Sequence, residues 1–158
     1  MKRNQKIVPL SRDHHSGLLF CWKIRQGLTL GADISRIRNY VLYYWEHHLL
    51  HHFKEEEKIL FILKDNMLIQ KAVDDHQRIE TLIDTIKQEK ADTDTYQSLA
   101  SMVNDHIRYE ERELFPYLEE TLSQDQLMAI GEELQRLHAA ETADNYEDHF
   151  WVKTSAKK

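Results

Sequence analysis

The chain has 158 residues and a formal net charge of −6, and it contains only four glycines and two prolines. The negative charge argues against non-specific nucleic-acid binding, and no apolar run is long enough to span a membrane. The single cysteine, Cys21, excludes an intramolecular disulfide framework and a multi-cysteine zinc or iron–sulfur site.

The scarcity of helix-breaking residues predicts long helices, and the first two occupy the N-terminal part of the chain. The first helix is predicted to begin after Pro9 and to end near residues 27–31, where two glycines fall. The second begins at Asp33 or Ser35, either of which is a good N-cap, and runs to about Lys64.

Three more helices are predicted in the remainder of the chain. The third spans about residues 67–89 and the fourth about residues 95–121. Pro116 lies inside the fourth helix and is expected to kink it, because proline cannot donate the backbone hydrogen bond of an α-helix. Ser123 is the predicted cap of a fifth, shorter helix over about residues 124–140.

The first four predicted helices have comparable reach and short connections, which is typical of an all-α, up-down-up-down four-helix bundle. We therefore expect a single domain over residues 1–158, with the bundle at about 8–122 and a C-terminal tail at 141–158. The fifth helix either packs across the bundle or supports a homodimer. The basic ends, MKRNQK and VKTSAKK, are expected to be solvated, and the cytoplasm is the default location.

Ten histidines are unusual in a chain of this length, and several fall on the predicted core faces. Residues three and four apart share one face of a helix, and each of the first four helices carries a histidine on its apolar face. Two of these helices add a glutamate one turn later. The six residues are His14, His52, Glu56, His76, His106 and Glu110. Since no lysine or arginine shares these faces, a bound cation is the simplest compensation for burying the glutamates.

The same six side chains are predicted to lie at one depth in the bundle. Neighbouring helices are antiparallel, so the histidines of the first and third helices and the glutamates of the second and fourth fall roughly 8–15 Å from the same end. Imidazole and carboxylate ligands suit iron, manganese or zinc. Two carboxylates that are each able to bridge favour a pair of metal ions, an arrangement known from bundle cores.

Three positions in this candidate site leave alternatives. His14 is favoured over His15 because it shares its face with apolar residues of the first helix. His48 lies one turn before the second-helix histidine and is either a seventh ligand or a residue that packs against the ligands. The core pattern favours Glu110 over its neighbour Glu111.

Four stretches, DHH, HFKEEEKILF, DDH and HIRYEERELFP, occur in this order along the chain. Together they resemble the hemerythrin-like family, also called the HHE cation-binding domain, over about residues 8–122. The resemblance implies a four-helix bundle around a non-haem centre with two iron ions per chain, bridged by carboxylates and an oxo or hydroxo group. The implied ligands are His14, His52, His76 and His106, with Glu56 and Glu110 as bridges.

Three classes of function are expected, of which the resemblance itself implies the first. The first is binding or sensing of O2, NO or redox state, or handling of iron, without a dedicated enzymatic activity. The second is a di-iron oxidoreductase that acts on peroxide or NO, and the third is a metal-free helical interaction module. Ala72 stands where the oxygen-carrying members of the family have a further histidine, which argues against reversible oxygen carriage.

Overall fold

The computed structural model describes residues 3–137 and 144–153, and these residues form five main helices and no strand. The predicted all-α bundle with an additional helix is confirmed. None of the described helices is both long and apolar enough to cross a bilayer. The helices are α1 (Val8–Thr29), α2 (34–60), α3 (Met67–Lys87), α4 (93–121) and α5 (Gln124–Leu137).

Side-chain caps fix several of these boundaries. Asp33, rather than Ser35, caps α2, and its carboxylate accepts from the Ser35 backbone N–H at 3.2 Å. The predicted cap at Ser123 is confirmed, because its hydroxyl accepts from the Gln126 backbone N–H at 3.1 Å. The Gln126 side chain in turn accepts from the Ser123 N–H at 2.9 Å, which completes a capping box.

Helix α2 ends at Leu60 instead of near Lys64, because its last turn is a π turn over Glu56–Leu60. A second π turn covers Glu110–Leu114 in α4, and a third covers Trp45–Leu49 in α2. Pro116 follows the π turn of α4 without ending the helix. A π turn inserts one residue into a helix, and such turns are frequent at functional sites. Here two of the three begin at a buried glutamate.

The core consists of two apolar clusters separated by a polar layer. Each of helices α1 to α4 contributes apolar residues to both clusters, and its predicted site residues lie in the part of the helix where one cluster gives way to the other. The first cluster includes Phe20, Ile24, Tyr40, Ile83 and Leu99. The second includes Leu10, Leu60, Leu114, Leu118 and, from α5, Leu134. Helix α5 therefore packs on one end of its own bundle, which is the first of the two alternatives that the sequence left open.

Described residues near each end of the chain contact the bundle. The Arg3 guanidinium donates to the Glu119 carboxylate and to the Glu111 carbonyl oxygen, so the prediction of a solvated N-terminus is wrong for this residue. Near the other end, Phe150 is only 2% exposed. Val152 and Lys153 are exposed as expected, and residues 138–143 and 154–158 lie outside the described part of the chain, including the predicted end of the fifth helix.

The segment 144–153 lies across α1 and α2. The Asp144 carboxylate accepts from the Lys23 ammonium at 3.1 Å and from the Tyr40 hydroxyl at 2.6 Å. Phe150 packs against Gly27, where an added Cβ would lie 2.7 Å from the phenyl ring. A glycine at this position of α1 is thus needed for the segment to approach the helix.

We expect Phe150→Ala to lower the free energy of unfolding by about 3 kcal/mol, because it removes a buried aromatic side chain. Val152→Ala is the matched control, since Val152 is 51% exposed two residues away. Chemical denaturation of both variants checks the prediction. Equal stabilities of the two variants would show that the segment does not dock on the bundle.

Candidate metal centre

The six predicted site residues converge in the polar layer between the two apolar clusters. All six side chains are buried, and both glutamates have 0% exposure. Their ligand atoms form two overlapping groups, and the atoms within each group lie within 4.8 Å of one another. One group is His14, His52, Glu56 and Glu110, and the other is Glu56, His76, His106 and Glu110. The two glutamates belong to both groups, as expected for carboxylates that bridge two positions.

The three alternative site residues, His15, His48 and Glu111, lie outside both groups of ligand atoms. His15 is exposed and His48 is half-buried, and neither belongs to the two groups found among the described residues. Glu111 is not in a group either, but its carboxylate contacts His14 from outside. The geometry therefore separates Glu110, which faces the centre, from Glu111, which supports a histidine.

Each of the four central histidines is held by a carboxylate on the side away from the centre. The Nδ1–H groups donate to four acceptors, which we call the outer carboxylates. The pairs are His14–Glu111 (2.7 Å), His52–Asp13 (2.8 Å), His76–Glu57 (2.6 Å) and His106–Asp75 (3.2 Å). Such contacts orient a metal-binding imidazole and select the tautomer whose Nε2 lone pair faces the metal.

The outer carboxylates reveal a two-fold pattern that sequence reasoning missed. An Asp-His pair occurs at 13–14 and again at 75–76, and His-x3-Glu-Glu occurs at 52–57 and at 106–111. Helices α1 and α2 form one half of the bundle, and α3 and α4 form the other. In each half the aspartate accepts from the histidine of the following helix, and the second glutamate accepts from a histidine of the other half. Two features of the sequence could have predicted this pattern: the aspartate directly before His14 and before His76, and the second glutamate of each Glu-Glu pair.

Most of the atoms that face the centre lack hydrogen-bond partners, the exceptions being Glu56 Oε1 and the Nε2 atoms of His76 and His106. Among the described residues, the buried Nε2 atoms of His14 and His52, Oε2 of Glu56 and both carboxylate oxygens of Glu110 are unpaired. His14 Nε2 lies only 2.9 Å from Glu110 Oε1, and the Nε2 atoms of His76 and His106 lie 3.1 Å apart. Buried polar atoms are rarely left without partners. Cations bound between these atoms would satisfy them, so the donor set fits metal ions.

The pKa values of the central histidines show that buried carboxylates in this layer attract positive charge. Burial by itself lowers the pKa of His52, but the Glu56 charge and hydrogen bonds to Asp13 and Glu56 more than offset this and raise it to about 10. At His106 burial again lowers the pKa, but the Glu110 charge and a hydrogen bond to Asp75 outweigh it and raise the pKa to about 9. Without metal, the centre therefore holds protons on its histidines, and metal binding must release them.

A comparison with protein families decides what kind of protein this is. A family model described as the hemerythrin HHE cation-binding domain matches residues 10–118, which contain all six central residues. The chain belongs to this family. No curated protein and no solved structure matches the chain. The resemblance predicted from the sequence motifs is thus confirmed, and the two groups of histidine and glutamate lie within the matched residues.

A cavity of about 480 Å³ adjoins the centre of this HHE domain. Its wall includes three of the four central histidines, namely His14, His52 and His106. Exposed His47 and His51 also line it, so the cavity connects the surface of α2 with the buried centre. The cavity is thus the opening that borders the central imidazoles from the side of α2.

We expect Asp75→Asn to weaken metal binding by about 10–100-fold, because the carboxylate that orients His106 is lost. The neighbouring Asp74→Asn is the matched control, since the Asp74 carboxylate accepts a hydrogen bond from the Gln70 side chain at 2.9 Å on the exposed surface of the helix and touches no central histidine in the described part of the chain. Competition with a chromophoric chelator measures both affinities. Equal affinities would mean that Asp75 does not support a metal ligand.

Proposed function

We propose that this HHE domain holds two iron ions at the centre and binds or senses a small molecule there, such as O2, NO or peroxide. The observation that carries the proposal is the pair of overlapping groups, in which two imidazoles on each side share the same two glutamates. Two shared carboxylates between two sets of imidazoles suit two ions better than one.

The charge of the layer supports two cations. Six carboxylates, two central and four outer, surround four imidazoles that must be neutral to bind metal. The two fully buried central glutamates alone would balance one divalent ion. The outer carboxylates add further negative charge, part of which Arg3 and Lys71 compensate at Glu111 and Asp75. Mixed imidazole and carboxylate ligands are those of non-haem iron, so iron is the proposed metal.

The cavity supports a small exogenous ligand. Each group supplies two imidazoles and oxygen atoms of two shared carboxylates, which leaves iron with coordination positions to fill. When bound, iron would supply one-electron redox chemistry and a place for such a ligand. The chain itself keeps one side closed, because the Phe53 ring stacks on His76 at a centroid distance of 3.8 Å. Access is left to the cavity side, beside His14 and His52.

The test is a spectroscopic titration of iron-loaded protein. The anaerobic protein is exposed separately to O2, NO and peroxide, and its optical spectrum is followed. We expect at least one of the three to change the iron absorption, and we expect a His52→Ala plus His106→Ala variant to show no change. An iron-loaded protein that responds to none of the three would contradict the proposed ligand function.

A further inference from the structure

Three histidines outside the centre remain without a role. His47, His48 and His51, which we call the rim histidines, lie in the stretch HHLLHH of α2 and line the cavity beside the centre. His47 and His51 are exposed, and the His51 side chain has 57% exposure. Seven of the ten histidines of the chain line this one cavity, which is more than a random distribution of solvated histidines would give.

The central residues cannot bind an ion directly from solvent. The side chains of the four central histidines have exposures between 1% and 6%, and the glutamates have none. An incoming ion must therefore pass between side chains of the bundle to reach them. The cavity opens at the surface of α2 and is lined by His14 and His52 on its inner side. The rim histidines stand on that path, on the same helix as His52.

The spacing of the rim histidines suits metal capture. His47 and His51 are four residues apart on α2, with His47 inside the π turn Trp45–Leu49, and both exposed side chains line the same cavity. Two imidazoles four residues apart on an α-helix bind one zinc ion in known sites. The Glu55 carboxylate lies 3.0 Å from His51 Nε2 and adds negative charge at the same position. Imidazole pairs bind divalent transition-metal ions and have little affinity for magnesium or calcium.

His48 supplies the link between the surface and the centre. Its Nε2 atom is buried and has no hydrogen-bond partner among the described residues, although the ring lines the cavity. His48 also precedes His52 by four residues, so the spacing between His47 and His51 recurs between His48 and a buried central histidine. Exposure thus decreases along the series from His51 to His48 to His52.

We propose that the rim histidines form a second metal-binding site at the mouth of the cavity, which captures a divalent transition-metal ion and delivers it to the buried centre. The delivery step rests on the proposed function of that centre. Metal–ligand bonds break at the rim and form at the centre, the protons held by the central histidines are released to solvent, and the ion keeps its charge during the transfer. The site would be weaker than the centre, because it offers fewer ligands and remains exposed to water.

The test compares the wild-type chain, a His47→Ala plus His51→Ala variant and a His149→Ala control. His149 is an exposed histidine outside the cavity. In calorimetric titrations with Zn²⁺ alone, we expect the wild type and the control to bind the equivalents of the centre and one weaker equivalent. The double variant should lose only the weaker equivalent. Anaerobic loading with Fe²⁺ should be several-fold slower in the double variant but should reach the same final iron content.

The possible failures are distinguishable. Central equivalents without a weaker one, or a weaker one that persists in the double variant, would overturn the second site and leave the proposed function standing. A loading rate equal to that of the His149→Ala control would overturn delivery through the rim histidines. A titration that lacks the central equivalents would refute the proposed function and the delivery step with it.

Discussion

Glu110→Gln is expected to remove metal from both positions of the centre, whereas His106→Ala should remove it from one. The reason is that Glu110 belongs to both groups of ligand atoms, while His106 belongs to one. In the metal-free protein the same substitution removes the buried carboxylate that lies 2.9 Å from His14 Nε2 and 3.2 Å from His106 Nε2, and breaking such a buried pair costs about 3–5 kcal/mol of stability. Metal content per chain and chemical denaturation measure the two effects.

Glu113→Gln is the matched control for this prediction. Glu113 lies in the same π turn as Glu110 but is exposed, so its substitution should change neither metal content nor stability. A Glu110→Gln variant that keeps the metal content of the Glu113→Gln control would show that the carboxylate is not shared between two ions.

The metal-free protein is expected to lose stability as the pH rises from about 6.5 towards 10, whereas the metal-loaded protein is not. The pKa of His52 is raised in the folded state from the ordinary 6.5 to about 10, and that of His106 to about 9. Below 6.5 the histidines are protonated in both states and their pairing with carboxylates contributes fully. Above it only the folded state holds the protons, so the contribution declines and is lost above the folded pKa values.

The expected loss amounts to several kcal/mol, since one unit of pKa corresponds to about 1.4 kcal/mol for each histidine. Metal ions replace the protons, so a loaded centre has no histidine proton to lose over this range. Urea denaturation of metal-free and metal-loaded protein at both ends of the range checks the prediction, and groups outside the centre cancel in the comparison. A metal-free protein that keeps or gains stability at high pH would contradict it.

The bundle and the six central residues could be predicted because both follow from helical periodicity. Each of the first four helices repeats apolar residues at spacings of three and four, and the histidines and glutamates interrupt these repeats. The choice of His14 over His15 followed from the same pattern, and the structure buries the first and exposes the second. Periodicity works here because one face of every helix is buried.

The features that could not be predicted depend on contacts that periodicity does not encode. The π turn at Glu110 shifts the register of α4, so Leu114 is buried and Glu113 is exposed, an alternative that an α-helical pattern leaves open. The contact of Lys23 with Asp144 joins residues 121 positions apart in a segment without helical periodicity. The outer carboxylates lie beside the core face, where acidic residues are ordinarily solvated.

Metal analysis of protein purified without added metal tests the central claim most directly. The proposed function predicts about two iron ions per chain in the wild type, as in carboxylate-bridged bundle centres, and their loss in a His52→Ala plus His106→Ala variant. A wild-type chain without transition metal, together with a double variant of unchanged metal content and stability, would contradict the claim.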